Sequence, residues 1–148
     1  MHMGEPEKLY PAHFVIVGCG RLGSILASEL SQKGSRVVLI DRDQRSFSLL
    51  DARFSGFRLT GDAVEVEVLQ SADLAEAGCL LATTEKDTIN LMVAQVAKVV
   101  FSVPKVLARV YDPKRGILYR KFGIETICPT SLAAQEFLRV ISPERGLL

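Results

Sequence analysis

One stretch constrains this chain more than any other. It reads Phe14-Val15-Ile16-Val17, then Gly18-Cys19-Gly20-Arg21-Leu22-Gly23, then an Ala- and Leu-rich run. A short apolar, β-branched run forms a strand buried on both faces, and the residues after Gly20 have helical character. The chain therefore passes from a strand through a glycine turn into a helix. In that setting Gly-x-Gly-x-x-Gly has a physical meaning. The first glycine permits the tight turn, the second lets backbone approach a pyrophosphate, and the third lets helix and strand pack closely. The helix N-terminus adds unpaired N–H groups and the positive end of a dipole. The glycine pattern alone is weakly specific, so the rest of the chain must support it.

The order of elements does so. The first helix is expected over about Arg21 to Lys33, with Ile25, Leu26 and Leu30 as its buried stripe and Gly34 ending it. Arg36 to Ile40 reads as a second strand, stopping at Asp41, eighteen positions beyond Gly23. An acid there suits the ribose hydroxyls of an adenosine and repels a 2′-phosphate, although the adjacent Arg42 can accommodate one. Asp43 is expected to cap a helix from Gln44 to Ala52, with Phe47, Leu50 and Leu49 turned inward. Gly56 to Leu59 gives a third strand leading into Thr60-Gly61-Asp62-Ala63. There Asp62 either caps a helix over Val64 to Gln70 or closes over an adenine.

Cys79 to Ala82 is the fourth strand, with Thr83 and Thr84 at its carboxyl edge. Their hydroxyls either face a ribose or pyrophosphate or cap the helix from Lys86 to Ser102. Lys105 to Ala108 is a fifth strand ending at Arg109, and Asp112-Pro113 opens a further helix, aspartate at the cap and proline in the first turn. Ile124 to Ile127 makes a sixth strand, and a last helix starts at Thr130 or Ser131, with Leu132, Phe137, Leu138 and Ile141 on one apolar stripe. Six strand–helix alternations predict an α/β fold: a doubly wound, six-stranded parallel sheet in three layers, order 3-2-1-4-5-6, with right-handed crossovers.

With 148 residues the chain has length for one ordinary domain. The expectation is a flexible tail over residues 1–11 and a single domain over 12–148. A net charge of +1 provides no global field for nucleic acid or anionic membrane. The apolar stretch Ile89 to Val103 is broken by Asn90, Gln95, Lys98 and Ser102, short of the roughly 20 apolar residues of a membrane span. The polar start, with Glu5 and Glu7, is unlike a secretory signal, and a cytoplasmic location is expected. Cys19, Cys79 and Cys128 are widely separated and lack histidines at metal-ligand spacing, so no zinc site or disulfide framework is expected. Cys19, inside the glycine turn, is either a redox-sensitive thiol or a small residue filling a tight space; all three are read as structural.

The ordered set of motifs resembles the RCK/KTN (TrkA-N) nucleotide-binding regulatory domain of potassium channels and transporters, a Rossmann fold. The likeness rests on Val17-Gly18-Cys19-Gly20-Arg21-Leu22-Gly23, Asp41-Arg42-Asp43, Thr60-Gly61-Asp62-Ala63, and Ala82-Thr83-Thr84 followed by Asp87 and Asn90. It continues through Ala108-Arg109-Val110-Tyr111-Asp112-Pro113 and Phe122-Gly123-Ile124-Glu125, covering Ala12 to about Val140. The resemblance implies an effector site for NAD(H) or for ADP, ATP or AMP. In it Gly18, Cys19, Gly20, Leu22 and Gly23 form the phosphate turn and Arg21 lies near the phosphates. Asp41 takes the ribose, Arg42, Asp62 and Ala63 border the adenine, Thr83 and Thr84 line the central crevice, and Arg109 lies near the ligand or a subunit boundary.

The resemblance also implies a membrane-embedded channel or transporter as partner, a homodimer or higher oligomer formed through the last helix, and a position at the inner face of the membrane. That helix could equally cover the sheet of its own subunit. Two features depart from the family. Pro129-Thr130 stands where many relatives have Pro-Glu, and the sequence stops at Leu148 without the smaller C-terminal lobe that often follows.

Catalysis has little support in the residues. His2 lies in the tail and His13 at the end of the first strand away from the crevice, while Tyr111 and Lys114 lack the spacing of short-chain dehydrogenases. A non-catalytic ligand-binding regulator is therefore expected. An NAD-dependent oxidoreductase domain lacking its substrate domain is the alternative, and an interaction module that has lost its ligand a third reading.

Overall fold

The computed structural model describes residues 12–143, so the expected N-terminal tail with His2 and the segment 144–148 lie outside the described residues. Strands β1 (His13–Val17), β2 (Arg36–Asp41), β3 (Phe57–Thr60), β4 (Cys79–Ala82), β5 (Lys105–Arg109) and β6 (Glu125–Ile127) form one sheet, ordered β3-β2-β1-β4-β5-β6. Every neighbouring pair is parallel. Helices α1 (Arg21–Gln32), α2 (Val66–Ser71), α3 (Asp87–Val99), α4 (Pro113–Arg120) and α5 (Pro129–Ile141) connect or follow the strands. The Rossmann-type order expected from the sequence is the order observed.

All five residues of β1 are buried, because the central strand is covered on both faces. Alternation along the strands separates two cores. Val15, Val17, Val38, Ile40, Leu80, Val106 and Ala108 pack with Leu69, Leu91, Ala94 and Ala97 of α2 and α3. Phe14, Ile16, Val37 and Leu39 pack on the other face with Ala27 of α1 and with Phe47 and Phe54. Each fully buried Val, Leu or Ile contributes about 1.5–3 kcal/mol relative to exposure.

The turn that starts α1 also decides how that helix lies. A Cβ on Gly23 would overlap the carbonyl oxygen of Gly18, so the helix leaves the strand in direct contact with it. Only small residues fit beneath, and the buried face is Gly23, Ser24, Ala27, Ser28 and Ser31. Leu26 and Leu30 pack partly buried at its margin, whereas Ile25, expected inside, is 61% exposed.

The segment after β2 is a shorter and tighter helix than expected. Asp43 accepts from Arg45 N at 2.9 Å, as a cap should, but a 3₁₀ helix ends at Leu49. Three residues per turn align Phe47 with Leu50 and leave Leu49 on the opposite side, exposed. Similarly, α2 begins only at Val66 and α3 ends at Val99, each shorter than the apolar pattern implied. Asp112 accepts from Lys114 N at 3.0 Å with Pro113 in the first turn, as expected.

The last helix begins at Pro129, one residue before the expected start. It buries none of its residues: exposure runs from 53% at Leu132 to 73% at Phe137. It therefore does not cover the sheet of its own subunit. The α1 side of β4–β6 is correspondingly thinly covered, with Leu81 and Leu107 only partly buried and Ile127 exposed.

Candidate functional site

The strand register sets the site. Val17 is level with Ile40 and Ala82, Asp41 with Thr60, and Ala82 with Ala108, so the carboxyl ends of five strands form one rim. Strands on either side of β1 connect in opposite directions, which opens a crevice above it. A cleft of about 570 Å³ occupies this place.

Eleven of the thirteen residues singled out from the sequence line it: Gly18, Cys19, Gly20, Arg21, Asp41, Arg42, Asp62, Ala63, Thr83, Thr84 and Arg109. Leu22 and Gly23 do not. Gly23 acts through packing, beneath Gly18, and Leu22 sits in the first turn of α1. The structure also brings in Ser46, Gly61, Glu85, Lys86 and Ile89. Lys86 has a sequence signal in hindsight, since it stands at the N-cap of α3 just beyond the β4 edge.

The glycines of the turn do different work. Gly18 has φ +105°, and a Cβ there would lie 2.8 Å from Thr84 N. Gly20, by contrast, would have nothing within 4 Å of an added Cβ, so its hydrogen faces open cleft. Asp41 fixes the turn from the side: its Oδ2 accepts from Cys19 N at 2.8 Å and its Oδ1 from Asp43 N at 2.8 Å.

The Cys19 side chain is buried and engaged within the fold. Its S–H donates to Ser46 O at 3.3 Å, and burial, with Asp41 adding, pushes its pKa up to about 11 against a lowering by Arg58. This favours the structural reading over a redox thiol. On the other side of the cleft, Thr83 Oγ1 donates within the fold, 3.1 Å from Val17 O and 3.0 Å from Gly18 O. Thr84 Oγ1 lies 2.6 Å from Asn90 Oδ1 and accepts from Lys86 N at 3.3 Å. Both hydroxyls thus brace the crevice floor. Asp62 lines the cleft and accepts from Val64 N at 3.1 Å, a bond within the loop; it does not cap α2, whose N-cap is Glu65, three residues further on.

Charge is distributed unevenly. Arg42 and Asp62 pair at 3.8 Å across the β2–β3 end. Among the described residues none of the ion pairs engages Arg21, Lys86 or Arg109, which stand around the glycine turn and the β4–β5 end. Arg109 stacks 4.7 Å from the Tyr111 ring centroid, and its Nε is buried with no hydrogen-bond partner. His13 lies at the far end of β1, its ring 3.3 Å from Ala72 O. Among the described residues no group of three His, Cys, Asp or Glu is placed to hold a metal ion. Nor is any helix there long and apolar enough to cross a membrane.

Sheet order, glycine turn and acid-tipped second strand define a Rossmann-type domain with an open crevice at its topological switch point. A family model described as the TrkA-N domain matches residues 14–129, and the chain belongs to that family. It is 42% identical over 131 residues to the Trk system potassium uptake protein TrkA of Streptomyces coelicolor, covering 88% of this chain and 59% of that protein. To the TrkA of Mycobacterium tuberculosis it is 32% identical over 116 residues, covering 78% and 52%. The chain thus spans a little over half the length of these relatives.

Among solved structures, the TrkA-N domain of the inner membrane protein ybaL from Escherichia coli superposes with a TM-score of 0.78 at 21% identity, covering 88% of this chain and 97% of that one. A structure of GsuK bound to ADP gives 0.74 at 21%, covering 89% and 34%. The GsuK channel bound to NAD gives 0.67 at 19%, covering 86% and 24%. At these identities the likeness concerns the fold.

Proposed function

We propose that this chain is a nucleotide-sensing regulatory domain or subunit of a potassium transport system. It binds NAD(H) or an adenine nucleotide (ADP, ATP or AMP) as an effector and passes the occupancy of the cleft to a membrane-embedded channel or transporter at the inner face of the membrane. One observation carries the reading: a glycine turn locked by Asp41 stands in a cleft whose Arg21, Lys86 and Arg109 carry positive charge with no ion-pair partner among the described residues. Such a cleft suits a phosphate ester of adenosine. The TrkA names of its relatives and the ADP and NAD bound to GsuK support the same reading.

The nucleotide acts as an effector and not as a substrate. Cys19 is held protonated, Asp41 is occupied by two backbone N–H groups, and Asp62 faces Arg42, so these groups are engaged in holding the cleft. A switch needs two arrangements that bind the ligand unequally. A homodimer supplies them: the unpacked apolar stripe of α5 matches the thinly covered β4–β6 face of a second copy. Exchange of helices buries both.

Incubation with saturating ADP or NADH tests the reading, followed by quantitation of the recovered nucleotide and small-angle scattering of the protein. Full recovery with a changed scattering profile is expected. Conversion of the nucleotide overturns the effector role, and a profile that neither ligand alters overturns the switch.

A further inference from the structure

Asn90 is the one polar side chain of α3 that is wholly buried, and it does not line the cleft. Its amide is used to capacity. Oδ1 accepts from Thr84 N at 2.8 Å and stands 2.6 Å from Thr84 Oγ1, while Nδ2 donates to Thr84 O and to Arg109 O, each at 3.0 Å. Two donors on one side and two carbonyls on the other call for an amide. A carboxylate would face two carbonyl oxygens, and an aliphatic side chain would leave three backbone groups unpaired.

What these bonds hold is one half of the cleft. Thr84 and Arg109 are at the carboxyl ends of β4 and β5, and Thr84 Oγ1 in turn accepts from the backbone of Lys86. The opposite half, Asp41, Arg42, Asp62 and Ala63, lies at and just beyond the carboxyl ends of β2 and β3 and has no bond to Asn90. Strand spacing separates the halves: β2 and β5 are three strands apart, roughly 14 Å. A nucleoside monophosphate with its base over β2–β3 ends at the glycine turn. A ligand that continues past the α-phosphate would extend toward Lys86 and Arg109, which line the β4–β5 side of the cleft, the Arg109 guanidinium being held by a 2.6 Å bond from Nη2 to the Tyr111 hydroxyl.

We infer that Asn90, without touching the ligand, sets the discrimination between nucleotides in this cleft: it positions Thr84, Lys86 and Arg109 to read an anionic group beyond the α-phosphate. This rests on the nucleotide-effector reading above. Asn90 is a positioning residue, and a merely structural role predicts a different result. Loosening of the whole fold weakens every ligand alike, whereas loss of the distal reader weakens the longer ligand selectively.

The readout is the ratio of ADP to AMP affinity, measured calorimetrically on the wild type, Asn90→Ser and Thr84→Val, with weak AMP binding quantified by displacement of ADP. The ratio is expected to fall tenfold or more in Asn90→Ser and several-fold in Thr84→Val, which removes only the hydroxyl from the network. A ratio within twofold of wild type in the folded variants overturns the inference, as does a parallel loss of both ligands. If Asn90→Ser does not fold, Thr84→Val decides by the same criterion. A wild type that binds neither ligand overturns the effector reading itself and the inference with it, an outcome distinct from wild-type binding with an unchanged ratio in the variants.

Discussion

The carboxylate of Asp41 accepts the backbone N–H of Cys19 at 2.8 Å, joining the end of β2 to the middle of the glycine turn. Its second oxygen holds Asp43 N. The acid expected to meet a ribose is therefore also a structural tie between neighbouring strands. Replacement Asp41→Ala is expected to destabilise the ligand-free protein by about 1.5–3 kcal/mol, the usual worth of hydrogen bonds to a charged group. Urea unfolding with and without nucleotide measures it. An unchanged ligand-free midpoint contradicts the tie.

The same anchoring, with Arg42 drawn toward Asp62, places a fixed negative charge where a 2′-phosphate would sit. NADPH is expected to bind at least tenfold more weakly than NADH in competition titrations. Equal affinities would mean that Arg42 leaves Asp62 to take the phosphate.

Gly20 and Gly23 should respond oppositely to substitution. Gly20→Val places its side chain in open cleft and is expected to leave the melting temperature close to wild type while removing nucleotide binding. Gly23→Ala drives a methyl into the Gly18 carbonyl and is expected to destabilise the fold by several kcal/mol. Thermal melts and titration of both variants separate the roles.

The α5 stripe can be tested without disturbing the core, because none of its side chains is buried in the subunit. In the proposed dimer, Phe137→Glu with Leu138→Glu is expected to leave a folded monomer in sedimentation equilibrium where the unaltered chain sediments as a dimer. A dimer that persists would place the contact elsewhere.

The three thiols differ in ionisation. Burial pushes Cys19 and Cys79 each up to about 11, so both stay protonated at pH 8. Cys128, at the N-cap of α5, is held below the usual thiol value chiefly by the Ser131 hydroxyl and backbone amide. A lower pKa gives more thiolate at any given pH, and Cys128 is expected to be alkylated first by iodoacetamide at pH 8. Mass spectrometry of the labelled peptides checks the order.

The sheet is legible in the sequence because its signals are local: six short apolar runs, each bounded by a turn or a cap, such as Gly34 after α1 or Asp112-Pro113 before α4. The site is legible for the same reason, since the rim of a doubly wound sheet collects the residues just after each strand. Packing is less so. The inward face of α1 consists of Gly23, Ser24, Ala27, Ser28 and Ser31, which carry little hydropathy, so the apolar pattern points to Ile25 instead. Leu49 departs from expectation because 3₁₀ geometry shifts the face that an α-helical period would bury. The exposed stripe of α5 is indistinguishable in sequence from a buried one, since apolar periodicity records that a face is covered and not by which chain.

Binding itself is the most direct test. Isothermal titration of the purified chain with NAD+, NADH, ADP, ATP and NADPH is expected to show saturable binding of at least one adenine nucleotide with no turnover, and loss of that binding in Gly20→Val. Absence of binding by all five nucleotides would contradict the account.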